Sequence, residues 1–403
     1  DAMLEMSEND YNKNVINKWK EFEAEVEKHK INLVLDPKKV QTKKSLLNYL
    51  IPQTPKKLKV VFLYPRKPKT SAWLYSHELG RMYLDETFSD KLETEYVAGV
   101  DENNVEQVLE DIIKAGADII FCVGPQMMPN SLKVAVEHPE VYILNCSLNA
   151  PHPYIRTYYG RMYEAKFLAG MIAGAVTDNE RVAYIADYPI YGMIANINAF
   201  ALGVASVNPR AKVYLAWSKT KDYDRNKFLE ENDLHYVSDQ DIITPNDASR
   251  YFGLYKLQDG QALNLAMPIW NWGVFYEKLL QSVLAGSYKA EGQEQVKALN
   301  YWWGMSAGVI DLICSKHVPY GVKRLADHLK SDITKGEVVP FFGQIYDQKG
   351  ELKNKGEHEM KPSDIMKMDW LVDNVVGSIP PMSEFVDNAK MVVELKGVEE
   401  NKL

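Results

Sequence analysis

Cysteine is scarce in this chain, with only Cys122, Cys146 and Cys314 among 403 residues. They are far apart and odd in number, and no CxxC or Cys/His spacing is present, which argues against a zinc module or a disulfide scaffold. Cys122 and Cys146 sit in apolar runs and read as small buried core residues. Long apolar runs are missing too. No window approaches the roughly 20 residues that span a bilayer, and FLAGMIAGAV (167–176) is about half that length. Positive charge is in deficit: 47 Lys and Arg against 55 Asp and Glu give a formal net charge of -8. That removes the electrostatic reason to bind nucleic acid or an anionic membrane surface. Neither G-x-G-x-x-G nor a P-loop follows any candidate strand, so no dinucleotide or triphosphate cofactor is expected. The opening DAMLEMSEND has no charged n-region and no apolar h-region, so any signal or anchor is expected upstream of residue 1.

What is present is an ordinary globular composition, 46% hydrophobic and 25% charged, in a chain too long for one core. Residues 1–56 stand apart. NDYNKNVINKWKEFEAEVEKHK carries Val15, Trp19, Phe22 and Val26 in helical spacing. QTKKSLLNYL adds a second candidate helix and IPQTPKK reads as a linker, so a helical extension is expected.

From Leu58 onward short apolar runs alternate with helical patterns. Strands are expected at 58–65, 117–124, 141–147, 181–187, 212–218 and 234–240, and helices at 71–86, 103–115, 131–137, 161–177, 193–206 and 271–285. Such runs suit strands buried on both faces, and the alternation predicts doubly wound α/β sheets, one per lobe. Ligands in such folds sit beyond the strand carboxyl ends, so the loops at 65–73, 124–129, 145–149, 187–191, 238–241 and 267–273 are where a site is sought.

Those loops hold aromatic, amide and proline residues and few catalytic groups. GMSAG (304–308) matches G-x-S-x-G, but VIDLIC follows it with strand-like alternation where a nucleophile elbow needs a helix. The small residues there fit a close passage past a neighbour. Gly170 and Gly174 share one helix face, which predicts close helix–sheet packing. Trp73 and His77, at i and i+4, share a face near a helix start: either two packed residues, or a stacking wall with a supporting group that could also serve as a base. Asn145, Asp187, Asp239, Gln240 and Asp241 end strands, where each is a turn or cap residue or an edge reader for a heterocycle. MPIWNWGVFYEKL (267–279) adds Trp270, Asn271 and Trp272, and Tyr188 lies in the 187–191 loop.

Taken in order, WLYSHELGR (73–81), PNSLKVAVEHPEV (129–141), YYGRMYEAKFLAGMIAG (158–174), YPIYGMIANINAFALGVASVNPRAKV (188–213), IWNWGVFYEKLLQSVLAGSY (269–288), WWGMSAGVIDL (302–312), PFFGQIYDQKG (340–350) and MDWLVDNVVGSIP (368–380) resemble the basic membrane protein family. These are substrate-binding lipoproteins of ABC transporters, purine nucleoside receptors among them. The resemblance implies a type I periplasmic-binding-protein fold, two doubly wound α/β lobes joined by a hinge, with no enzymatic activity. It implies an extracytoplasmic, membrane-anchored protein that captures a purine nucleobase or nucleoside between its lobes for an ABC permease. The acidic G-x-D-x-D pattern of nucleoside receptors is replaced by FGLYKLQDG (252–260), which moves the expectation towards a nucleobase.

The expected parts are a helical extension over 1–56, a first lobe of 57–152 plus 262–300, a second of 153–261 plus 301–345, and a C-terminal segment, 346–403, packing across lobes. The expected ligand groups are Trp73, His77, Asn145, Tyr188, Asp239, Gln240, Trp270, Asn271 and Trp272, with Arg161 and Glu164 holding the hinge region. No metal is expected, and the only membrane contact is through an anchor outside the chain. Two other classes stand beside this one: a ligand-sensing module of the same fold that signals to a partner protein, and an enzyme acting on a purine or ester.

Overall fold

A computed structural model describes residues 31–37, 56–148, 152–242, 244, 246–288 and 298–390. The chain divides into two compact units, Asp1–Gly160 with Asn271–Trp303, and Arg161–Trp270 with Gly304–Leu403.

Unit 1 holds a seven-stranded sheet. Its strands are β1 (Ile31–Val34), β2 (Leu58–Tyr64), β3 (Leu92–Ala98), β4 (Ile119–Cys122), β5 (Tyr142–Cys146), β6 (Ile155–Gly160) and β12 (Ala298–Trp303). They lie in the order β1-β12-β6-β5-β4-β2-β3 and every neighbouring pair is parallel. Strand β4 is buried throughout and β2 from Val60 onward, as their continuous apolar runs require. Strand β3, LETEYVA, escapes a periodicity search because it is an edge strand whose Glu93 and Tyr96 are exposed. Its helices are α1 (Ala72–Thr87), α2 (Val105–Lys114), α3 (Met128–Glu137) and α7 (Trp272–Leu284).

The expected helical extension is corrected in one place: Ile31–Val34 is a strand, paired in parallel with β12 from Ile31↔Ala298 to Val34↔Tyr301. Pairing closes the sheet edge that β12 would otherwise expose. The two candidate helices of that extension lie outside the described residues.

Unit 2 also has seven strands, and it is mixed. Strands β7 (Arg181–Ala186), β8 (Lys212–Trp217), β9 (Tyr236–Ser238), β10 (Leu254–Gln258), β11 (Gln261–Trp270), β13 (Ile310–Cys314) and β16 (Val375–Val376) run β13-β11-β10-β9-β7-β8-β16. The pairs β7–β8, β7–β9 and β8–β16 are parallel, whereas β9–β10, β10–β11 and β11–β13 are antiparallel. The stretch FGLYKLQDG is therefore half of a hairpin. Its turn, Asp259 and Gly260, has φ values of 51° and 73°, the left-handed pair that a two-residue turn demands. A second small hairpin pairs β14 (Gln344–Tyr346) with β15 (Leu352–Lys355).

The unit boundaries correct the expected lobes, and the sheets give the reason. A break at 152/153 would detach β6 from its partner β5, and one at 261/262 would place β11 apart from β10. Strands stay with their ladders, so the crossings fall at 160/161, 270/271 and 303/304. The described part of the C-terminal segment, 346–390, belongs to unit 2, where β16 extends the sheet.

Helices α4 (Tyr163–Val176) and α5 (Met193–Val207) show why Gly170 and Gly174 are glycines. A Cβ on Gly170 would collide with the Phe200 carbonyl of α5, one on Gly174 with that of Val204, and one on Gly203 with the Phe167 carbonyl of α4. The close approach is helix against helix, not helix against sheet as expected. Both helices are apolar on nearly every face, which fits burial between neighbours. Helices α6 (Arg225–Glu231) and α8 (Tyr320–Lys335) complete the longer elements of unit 2.

Candidate functional site

In unit 1 the site is assembled on the seam between α1 and α7. Ser71 caps α1, its side chain accepting from the Leu74 amide, so Trp73 lies in the first turn, near the carboxyl end of β2. Trp73, His77, Gly80 and Leu84 follow at 4, 3 and 4 residues, one helical face. Gly80 lets α7 come close: a Cβ there would stand 3.0 Å from the Gly273 amide and 3.1 Å from Trp272 Cβ. The helix is fixed to its sheet by Glu78, which accepts from the Tyr64 hydroxyl at 2.9 Å and from Arg81 through both carboxylate oxygens. Burial and the charge of Glu78 push the Tyr64 hydroxyl far above its ordinary pKa, so it stays a donor.

The rings stack around His77. Its imidazole lies 4.3 Å from Trp272 at an interplanar angle of 21° and 4.7 Å from Trp73 at 77°. Trp73 and Trp272 stand at 89° to each other, 5.6 Å apart, and Tyr159 is tilted against Trp73 at 5.7 Å. Beneath them His77 Nδ1 is 2.6 Å from the Tyr276 hydroxyl, which is 3.0 Å from that of Tyr158. Burial lowers the His77 pKa well below the usual range, leaving the imidazole neutral, and raises both tyrosines well above theirs.

Asn145, at the end of β5, is 1% exposed. Its Nδ2 donates to the Gly124 carbonyl at 2.9 Å, and because a carbonyl only accepts, the amide orientation is fixed. Among the described residues Oδ1 has no hydrogen-bond partner, an omission worth about 1–3 kcal/mol. The register places Asn145 beside Thr157 and Thr157 beside Asn300, and Asn300 donates to Thr157 Oγ1 at 2.6 Å. This row of polar side chains crosses three strands, next to the carboxyl end of β5 and at the middle of β6 and β12. Asn271 is exposed and precedes α7, with no side-chain cap bond.

Unit 2 presents a different set at the ends of β7, β8 and β9. Asp187 accepts from the Ser218 hydroxyl at 2.6 Å. Asp239 accepts from the Tyr255 hydroxyl at 2.9 Å and from the Gln240 amide at 2.8 Å, with Arg225 Nε at 3.7 Å. Arg225 lies 3.7 Å over the Tyr251 ring and donates to Tyr255. Burial raises the Asp239 pKa, against the pull of the Gln240 amide, Tyr255 and Arg225. Asp241 pairs with Lys166, which is 3% exposed; burial opposes that charge, but Asp241 and Tyr184 hold the ammonium pKa above its ordinary value. Gln240 is exposed, and Tyr188 and Trp270 are half-buried.

The nine expected residues thus separate. Trp73, His77, Asn145, Asn271 and Trp272 fall in unit 1, and Tyr188, Asp239, Gln240 and Trp270 in unit 2. Trp73, His77 and Trp272 are brought together. The expected exposed wall at Trp272 is corrected: the ring is 1% exposed and lodged among unit 1 rings. Sequence reasoning missed Tyr159, Tyr158 and, in unit 2, Arg225, Tyr251 and Tyr255. YYGR, at the end of β6, carried a signal for the first two, while Arg225 lies on a seven-residue helix with no apolar period of its own.

Arg161 and Glu164 lie in unit 2, just after the chain passes from unit 1 at 160/161. Arg161 Nε donates to Glu164 Oε1 at 2.8 Å, and Glu164 Oε2 accepts from the Met305 amide at 2.6 Å. A Cβ on Gly304 would strike that carboxylate, which explains the glycine. Residues 305–307 form a single 3-10 turn and a strand follows, so GMSAG is not a nucleophile elbow. A separate cavity of about 310 Å³ in unit 2 is lined by Asp347, Glu351, Lys353 and Trp370 among others, and its charges pair internally, Lys353 with Asp347 at 3.1 Å. Among the described residues no three metal-ligating side chains gather, and no helix is long and apolar enough to cross a membrane.

Comparison with known proteins bears on this geometry. The sequence model of the family described as "ABC transporter substrate-binding protein PnrA-like" matches residues 57–250. A purine-binding protein of Brucella abortus is 28% identical over 338 residues, 80% of this chain and 94% of that protein. A putative ABC transporter glucose-binding protein of Haloferax volcanii is 30% identical over 250 residues, 59% of this chain and 62% of that protein. Among solved structures, an ABC-transporter solute-binding protein from Conexibacter woesei aligns with a TM-score of 0.53 at 16% identity. It covers 70% of this chain and 98% of its own, which speaks to the fold alone.

Proposed function

We propose, from the premise that residues 57–250 belong to the PnrA-like family of ABC-transporter substrate-binding proteins, that this protein captures a purine nucleobase or nucleoside, adenine-like in size and edge chemistry, for an ABC permease. The observation that carries the reading is the unit 1 pair of half-buried rings, Trp73 and Tyr159, backed by the buried Trp272 ring, with the fixed, half-satisfied amide of Asn145. Ring stacking contributes on the order of 1–3 kcal/mol per base. An amide with an open acceptor favours a ligand edge that donates, because a buried acceptor left unpaired costs about 1–3 kcal/mol. Unit 2 adds Asp187, Asp239, Gln240 and Tyr188, acceptors and donors suited to hydroxyl or ring-nitrogen groups. The ligand acts by differential affinity for the conformations the two units can adopt, with no bond made or broken. The family match supports a location outside the cytoplasm, and we propose a membrane anchor upstream of residue 1.

The purine-binding relative supports the ligand class. The name of the Haloferax relative favours a second reading, a hexose, for which the unit 2 carboxylates would be the main contacts. The helical arm that suggested a sensing role lies outside the described residues. Mass spectrometry of ligand released from the purified protein, with thermal shift against adenine, adenosine, hypoxanthine and glucose, separates the readings. A purine should raise the melting temperature in proportion to its occupancy. Stabilisation by glucose and by no purine would replace the first reading with the second.

A further inference from the structure

We infer that His77 is a positioning residue, which sets the planes of Trp73 and Trp272 through a buried hydrogen-bond relay and does not touch the ligand. The inference rests on the purine reading only in taking the half-buried Trp73 indole as ligand-facing, with the buried Trp272 ring packed behind it.

His77 is 0% exposed, so no atom of it is offered to a ligand. Its ring is held at both nitrogens. Nδ1 is held at 2.6 Å by Tyr276, whose hydroxyl is held at 3.0 Å by Tyr158, and Nε2 stands 3.9 Å from Cys146 Sγ. A neutral imidazole carries one N–H. If Tyr158 donates to Tyr276 and Tyr276 to Nδ1, the proton lies on Nε2 and points at the sulfur; reversing the chain reverses every donor. In either direction the ring cannot rotate about its Cβ–Cγ bond without breaking the short bond to Tyr276. Both hydroxyls are kept protonated by burial, so the relay survives across the working range of pH.

The imidazole plane is the reference for both indoles. Trp272 is nearly parallel to it and Trp73 nearly perpendicular, which gives the right angle between the two indoles directly. Gly80, one helical turn further along α1, removes the side chain that would hold the Trp272 backbone away. Tyr276 sits one turn beyond Trp272 on α7 and stacks with it at 6.3 Å. Helix α7 thus carries one indole and the hydroxyl that locks the imidazole, while α1 carries the imidazole and the other indole.

The test uses His77→Phe, which keeps a flat ring and deletes the hydrogen bonds, and Tyr276→Phe, which removes only the hydroxyl. Near-UV circular dichroism of the apo protein reads the indole planes, and titration with adenine reads affinity. Each single variant should change the near-UV spectrum and weaken adenine binding by about tenfold, the worth of one buried hydrogen bond. The double variant should lose little more than either single one, because both cut the same relay. Affinity within about twofold of the parent in both singles overturns the inference, as does full additivity in the double. A change of preference between adenine and hypoxanthine in His77→Phe alone would show direct contact and overturn it too. Should no purine bind the parent protein, the purine reading fails, and the near-UV spectra with the stability cycle of the three variants still decide whether the relay exists.

Discussion

Replacing Trp272 by alanine separates what the sequence suggests from what packing dictates. Seen as a cleft wall, the ring should matter to ligand and little to the apo protein. In the structure it is 1% exposed and surrounded by His77 at 4.3 Å, Trp73 at 5.6 Å, Tyr158 at 5.8 Å, Phe275 at 6.0 Å, Tyr276 at 6.3 Å and Tyr159 at 6.4 Å. Deleting a buried Trp leaves a cavity that neighbours fill only in part, a loss of about 3–5 kcal/mol. Aromatic pairs add about 0.5–1.5 kcal/mol each beyond burial, so the upper end of that range is expected here. Against this, alanine gains only a few tenths of a kcal/mol of helix propensity at the first residue of α7. Domain stability is about 5–15 kcal/mol, so Trp272→Ala should remove a large share of it. Urea unfolding of the apo variant, followed by far-UV circular dichroism, gives the midpoint shift, and an unchanged slope would show that the same surface is exposed. Trp272→Phe, which keeps part of the ring stack, should lose less. A loss below about 1 kcal/mol in Trp272→Ala would refute the packing argument, since surface substitutions fall in that range.

Gly170→Ala should destabilise unit 2 by at least about 1–3 kcal/mol, because its Cβ meets the backbone carbonyl of Phe200 and backbone cannot swing aside; an unchanged urea midpoint would contradict the helix–helix contact. The depressed pKa of His77 predicts a pH slope with a definite sign. Below its ordinary value of about 6.5 the unfolded imidazole takes up a proton that the folded one refuses, so stability present above that pH is lost at about 1.4 kcal/mol per unit as pH falls. His77→Phe abolishes this contribution, so the gap between variant and parent should narrow from pH 6.5 to pH 5, and parallel stability curves would show that His77 titrates normally.

Much of the architecture is legible from local pattern. The runs LKVVFLY and RVAYIA are apolar but for Lys59 and Arg181 near their starts, because strands inside a sheet covered on both faces have no polar side to declare, and they appear where the apolar pattern puts them. The edge strand β3 and the hairpin strands β10 and β11 are not legible, since charged residues on the edge strand and polar residues such as Lys256 and Asn264 within the hairpin break the apolar pattern. The glycines in LAGMIAG announced a close approach but not its partner, which the sequence places thirty residues later in α5. Site residues divide in the same way. Trp73 and His77 could be paired from their i, i+4 spacing on one helix, while Tyr159, Tyr276 and Trp272 join them only because β6 and α7 fold against α1.

Composition and spacing by themselves determined the fold class, the expectation of two lobes and the absence of a phosphate fingerprint, because each is a property of contiguous residues. Tertiary structure alone decided that His77 is neutral and buried, that Trp272 is core before it is wall, and that the Asn145 amide is fixed with one acceptor open. Those properties depend on burial and on which groups meet across distant segments, and a side chain's neighbours more than a hundred residues away leave no trace in its local sequence. MPIWNWGVFYEKL shows both sides: its period announces a helix, and only the packing of α1 against α7 says which of its rings are buried.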